Sequence, residues 1–251
     1  MSEQSYNMLI APDFSPERFA GWHMFNTLLQ KRANIHMHLN TPASHAEQEE
    51  FIDTGYMHVI YANPFDAAHL IREKGYRAIA RPTGKYDEMV ITASAKGDIH
   101  TLEDIKQGLT VAMADNSDVK LIGLRLLEAV DIEDSDLTWN TTENYQAAAR
   151  QVIKGEAHVA FFLAEIFHSL SRLTKMQLSV LIESDLAAIS HVLLVKDDFA
   201  EATSLTNTIL AFHNEAEGKE ALTELGIPDG FEAMSEEDAE FMIDLMQTLI
   251  A

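Results

Sequence analysis

The chain has 251 residues and a formal charge of −22, from 18 Lys+Arg against 40 Asp+Glu. Hydrophobic residues make up 47%, so a core is available and global disorder is excluded. The charge argues against nucleic-acid or anionic-membrane partners, which repel a polyanion, and the lack of cysteine rules out disulfides, thiolate nucleophiles and Cys-ligated metals.

Met1 to Asn7 is polar, and only four apolar residues follow, Met8–Ala11. No basic region precedes a long apolar run, so no signal peptide is legible and the expected location is the cytoplasm. A chain trimmed to its mature form would read the same and be periplasmic. No stretch approaches the ~18 apolar residues of a membrane span, so no membrane insertion is expected.

In chain order, Met8–Ala11 reads as a strand and Pro16 opens a helix to Ala33, with Phe19, Trp22, Phe25, Leu28 and Leu29 on one face. Ile35–Leu39 alternates as a strand. Thr41 or Ser44 caps an acidic helix to Asp53. Met57–Tyr61 is a strand, Pro64 starts a helix to Lys74-Gly75, and Tyr76–Arg81 is a strand broken by Pro82 and Gly84. Residues 85–93 are extended, and Thr101 to Asp104 has the spacing of a capping box. Leu109–Ala114 is a strand before a helix over Val119–Val130, and Leu137–Asn140 is strand-like. Asn144 or Thr142 caps a helix to Lys154, closed by Gly155. His158–Leu163 is a strand, Ala164–Leu173 a helix, Leu178–Ile182 a strand, and Ile189–Val195 extended. Helices cover Phe199–Asn214, Glu217–Leu225 and, after a turn over Gly226–Gly230, Ser235–Leu249. Alternating β and α elements predict an α/β protein with mainly parallel sheets; no internal repeat is legible.

Several segments together resemble the phosphate/phosphite/phosphonate-binding proteins of ABC transporters, of the type II periplasmic-binding-protein fold. They are Leu9-Ile-Ala-Pro-Asp13 with Ser15-Pro16-Glu-Arg18, Val59-Ile-Tyr-Ala-Asn-Pro64, Ser94 to Ile105, Gln151 to Ala160, Ile189 to Val195, and Glu217 to Phe231. The resemblance spans nearly the whole chain. It implies two α/β lobes closing on a ligand in the cleft between them, residues 1–87 with 195–251 forming one and 88–194 the inserted other. Ligands of open α/β sheets sit beyond strand carboxyl ends, where helix amino termini offer N–H groups.

In the family, a Ser-Thr-Ser-Gly run opens the helix after the strand here read as Leu109–Ala114 and holds phosphonate oxygens. The aligned residues are Ser117, Asp118, Val119 and Lys120, after Asn116. Only Ser117 is kept. A carboxylate there competes for the N–H groups and repels a dianion, so a zwitterion, a cation-bearing molecule or a neutral polar metabolite is the expected ligand rather than a simple phosphonate. Ser117 or Asp118 can equally be a plain N-cap.

The other candidates follow strands: Asp13 and Phe14 after the first, Tyr61 and Asn63 at the third, Asn144 and Tyr145 opening a helix, and Glu165 after Ala160–Leu163. Tyr86 and His191 lie on the two crossings. Each has a structural alternative, as a cap, a first-turn acid or a hinge residue. His36 and His38 share a strand face, but no third ligand is placed, so they read as solvated and no metal or other cofactor is expected.

Enzyme motifs such as Gly-x-Ser-x-Gly and Gly-x-x-x-x-Gly-Lys-Ser/Thr are missing. The expectation is a non-catalytic receptor for a small polar molecule, working with an ABC permease. The alternative is a cytosolic ligand sensor on the same fold, reporting to a signalling protein.

Overall fold

The computed structural model describes residues 5–12, 18–186 and 188–250, without the side chains of Ser117, Leu249 and Ile250. The chain runs β1 (Ser5–Ile10), α1 (Phe19–Ala33), β2 (His36–Asn40), α2 (His45–Thr54), β3 (Val59–Ala62), α3 (Pro64–Glu73) and β4 (Tyr76–Pro82). It continues through β5 (Met89–Ser94), β6 (Thr110–Ala114), α4 (Ser117–Leu127), β7 (Thr138–Thr142), α5 (Tyr145–Lys154), β8 (Val159–Leu163), α6 (Ala164–Ser169), α7 (Arg172–Lys175) and β9 (Leu178–Glu183). It ends with β10 (Val192–Lys196), α8 (Ala202–Leu210), α9 (Ala216–Glu224), β11 (Phe231–Ala233) and α10 (Glu236–Ile250).

Contacts divide the chain into two units, Met1–Tyr86 with Ser190–Met246, and Asp87–Ile189 with Gln247–Ala251. The sequence reading carries the second lobe to residue 194. The division falls earlier because β10 hydrogen-bonds between β3 and β4, Leu194 facing Ile60 and Ala78, so Val192–Lys196 is part of the first sheet.

The first unit's sheet has the order β11-β4-β10-β3-β1-β2. β1 is parallel to both neighbours, Met8 facing Leu39 and Val59. Met8 to Ile10 and Val59 to Ala62 are buried, as continuous apolar runs in central strands should be. β2 lies at the edge with His36 and His38 exposed. Trp22, Phe25 and Leu29 of α1 bury the face predicted by their spacing and join Tyr61, Phe212 and Phe231 in one core. Gly21 allows α1 to approach α9 closely: a Cβ there would stand 2.9 Å from the Glu224 carbonyl carbon.

The second unit's sheet has the order β7-β6-β8-β5-β9. β6 is parallel to β7 and β8, while β5 is antiparallel to β8 and β9. α5 presents Ala148, Ala149 and Val152 to a core with Phe162 and Phe167, and Gly155 ends it at φ +75°. Both sheets are therefore mixed, which corrects the expectation of mainly parallel pairing. The α/β class and the two-lobed type stand. The strand β11 lies in what reads as loop; three residues carry too little alternation to show. The helix read over Ala164–Leu173 stops at Ser169, because Ser171 starts and caps the next turn through the Thr174 N–H.

Candidate functional site

In the first unit, β3 runs directly into Asn63, which caps α3. Its Oδ1 accepts the Asp66 N–H at 2.8 Å, and its Nδ2 donates to the Asp66 carboxylate at 3.0 Å. Gln48 of α2 donates to the same carboxylate at 2.5 Å. Asn63 is thus held at the helix start and 4% exposed, rather than presented as an open amide. Tyr61 is 2% exposed and packs with Trp22 at 4.8 Å and Phe231 at 6.2 Å. The period of β3 turns Tyr61 to the same face as Val59, into the aromatic core, so it is not an open pocket wall. His191, just before β10, is partly buried, its ring 5.5 Å from that of Tyr61. Asp13 and Phe14 lie outside the described residues.

In the second unit, β7, β6 and β8 are adjacent and parallel, so the residues after their carboxyl ends come to one edge of the sheet. This edge carries Asn116, Asp118, Asn144, Tyr145 and Glu165. Asn116 and Asn144 both cap helices: Oδ1 of Asn116 accepts the Val119 N–H at 3.0 Å, and Oδ1 of Asn144 the Ala147 N–H at 2.9 Å. The cap of α4 is therefore Asn116, neither Ser117 nor Asp118. Asp118 lies in the first turn and is 7% exposed. The Ser117 side chain is outside the description. Tyr145 is partly buried, 6.0 Å from the Phe162 ring, and Glu165 is exposed in the first turn of α6.

Four features add to the site residues expected from the sequence. The Thr142 hydroxyl lies 3.1 Å from the Met113 carbonyl oxygen and 2.9 Å from that of Asn144, tying the ends of β6 and β7 together. After Tyr86, which is partly buried, the Asp87 N–H donates to the Ile189 carbonyl at 2.8 Å, joining the entry and exit of the second unit. Glu88 accepts the Ser184 hydroxyl and the Leu186 N–H, the latter at 2.8 Å. Ser190 is also new: it is 1% exposed, its hydroxyl has no hydrogen-bond partner among the described residues, and it precedes β10 at the end where β3 meets Asn63. Amides, hydroxyls and carboxylates at strand ends suit recognition of a small polar molecule by hydrogen bonds.

The fold matches known binding proteins. PhnD1 of Prochlorococcus marinus (MIT 9301), solved with methylphosphonate, aligns at TM-score 0.80 and 11% identity, over 98% of each chain. A binding component of an ABC phosphonate transporter from Pseudomonas aeruginosa aligns at TM-score 0.77 and 16% identity, over 98% of this chain and 87% of its own. The alkanesulfonate-binding protein SsuA from Xanthomonas axonopodis pv. citri, bound to MOPS, aligns at TM-score 0.62 and 13% identity, over 99% and 94%. At these identities the likeness shows the fold. Comparison with curated proteins finds no similar sequence. Among the described residues no helix is long and apolar enough to cross a membrane. The profile of one family, described as ABC transporter, phosphonate, periplasmic substrate-binding protein, matches residues 8–239. That description is of receptors, not enzymes, and lends no support to a cytoplasmic location or a cytosolic sensor. With its profile running from β1 into α10 over two α/β units, this chain belongs to the phosphonate-type substrate-binding proteins of ABC transporters.

Proposed function

We propose that the chain is the solute receptor of an ABC importer, delivering a small polar molecule to a permease, and that this molecule is not simple phosphate or phosphonate. The observation that carries the second part is Asp118. It is a 7% exposed carboxylate in the first turn of α4, where the family resemblance implies hydroxyls for phosphonate oxygens. A carboxylate at a helix amino terminus already satisfies the helix dipole and repels an incoming dianion. It attracts an ammonium group and accepts from neutral donors. Asn116 and Asn144 at the same sheet edge supply neutral hydrogen-bonding groups. The ligand class these groups favour is a zwitterion, an amine-bearing molecule or a neutral polar metabolite.

A thermal-shift screen of amino acids, amines, carboxylates, phosphonates and oxyanions tests this. The expected hits carry an amine or are neutral. Stabilisation by phosphate and methylphosphonate, with none from the other classes, overturns the ligand assignment.

A further inference from the structure

Two histidines occupy matching places in the two units. His58 directly precedes β3; its N–H donates to the Asn7 carbonyl at 2.9 Å, and its ring Nδ1 accepts the Asn7 N–H at 3.1 Å. His158 directly precedes β8; its N–H donates to the Thr110 carbonyl at 2.9 Å, and its Nδ1 accepts the Thr110 N–H at 2.9 Å. One histidine thus satisfies both backbone groups of a residue on the neighbouring parallel strand, β1 in one unit and β6 in the other. The local sequences correspond, Met57-His-Val-Ile-Tyr61 and Ala157-His-Val-Ala-Phe161.

A ring nitrogen accepts an N–H only while it carries no proton, so this geometry requires neutral imidazole with its proton on Nε2. We propose that His58 is an acid-sensitive clamp on the amino-terminal edge of the first sheet, releasing the Asn7 N–H and loosening the β1–β3 junction when its ring is protonated.

The surroundings of His58 support this. Its ring meets Tyr6 of β1 at 5.0 Å, Tyr56 of the preceding segment at 4.7 Å and Phe199, ahead of α8, at 5.5 Å. The charged groups nearby are Asp198, bonded to the Tyr56 hydroxyl, and Lys196, whose ammonium lies 6.0 Å from the Tyr56 ring and 4.4 Å from that of Tyr76. The Lys196 N–H donates to the His58 carbonyl at 3.0 Å. Burial disfavours the charged imidazole and outweighs Asp198, which favours it, so His58 titrates below the usual histidine range. Tyr56 and Tyr76 are each pushed up to about 12 and stay neutral in acid. The unfolded chain therefore binds the extra proton more readily. The stability that His58 contributes is complete above about 6.5 and is lost as pH falls through the lower folded value. His158 is exposed, so water can replace its bond, and the clamp is weaker there.

The test uses the full chain with labelled imidazoles, followed by NMR from pH 7.5 to 5. Expected are an Nε2–H tautomer for His58, a midpoint below 6.5, and loss of Asn7 amide protection with that same midpoint. An Nδ1–H tautomer, a midpoint at or above 6.5, or Asn7 protection indifferent to the titration overturns the proposal. His58→Gln adds a second reading, since it offers an acceptor that does not titrate. Its urea midpoint should shift less between pH 7.5 and 5 than that of the wild type; an equal shift counts against the clamp. The wild-type titration decides alone should that variant not fold.

Discussion

The side-chain oxygen of Asn116 accepts the backbone N–H of Val119 at 3.0 Å, which makes Asn116 the residue that starts α4. Asp118 is not the cap and sits inside the first turn, with its charge at the positive end of the helix. That placement is what the proposed ligand preference of this edge of the second unit rests on.

Asn116→Ala removes the acceptor for one orphan N–H and should cost about 1 kcal/mol in urea unfolding, whereas Asn116→Ser or Asn116→Asp should recover most of it. An alanine variant as stable as the wild type would show that the cap contributes nothing.

Asp118→Thr introduces the hydroxyl that the family resemblance implies at this position and takes away the repelling charge. The variant should gain affinity for methylphosphonate relative to the wild type, read by calorimetry. Unchanged, undetectable binding in the variant would mean that Asp118 is not what sets the preference against dianions.

Gly123, in the middle of α4, faces the Phe161 ring. A Cβ there would stand 2.2 Å from one ring carbon and 2.9 Å from the Met89 methyl. Alanine improves helix propensity by about 1 kcal/mol, yet overpacking costs roughly 1–3 kcal/mol. Gly123→Ala should therefore be neutral to destabilising by chemical denaturation; a gain near 1 kcal/mol would show that the ring yields freely.

Alkaline pH probes the Tyr56–Asp198 contact. The hydrogen bond to Asp198, then burial and the Asp198 charge, push Tyr56 up to about 12, and burial foremost does the same for Tyr76. A raised folded value means stability that is complete below the usual tyrosine range near 10 and is lost as pH rises through the folded value. Ultraviolet titration should show at least two late-ionising tyrosines, and Asp198→Asn should return Tyr56 toward the usual range. Six equivalent tyrosines in the folded protein would refute the contact.

Much of the fold was legible because burial wrote itself into short patterns. The run Val59–Ala62 is apolar on both faces as a central strand requires, Ser44 and Asn144 stand where caps are needed, and Gly155 closes α5. Pairing direction was not legible, since Val192–Lys196 reads the same whether it enters a sheet parallel or antiparallel. The candidate site was less legible still. Tyr61 and Asn63 follow a strand as ligand residues do, but their side chains face the core and the helix start, a choice made by Trp22 and Asp66 far from them in sequence or on the next turn. Ser190 gave no signal, and Thr142 only that of a candidate cap, because a hydroxyl becomes informative only once its burial and partners are known. The paired His-Val segments are too short to register as a repeat.

The most direct test of the ligand assignment is isothermal titration calorimetry of the wild-type chain with methylphosphonate and with the amine-bearing or neutral solute that gives the largest thermal shift. The account predicts saturable one-to-one binding of the latter and no measurable heat from millimolar methylphosphonate. Micromolar methylphosphonate binding, with the other solute inert, would contradict it.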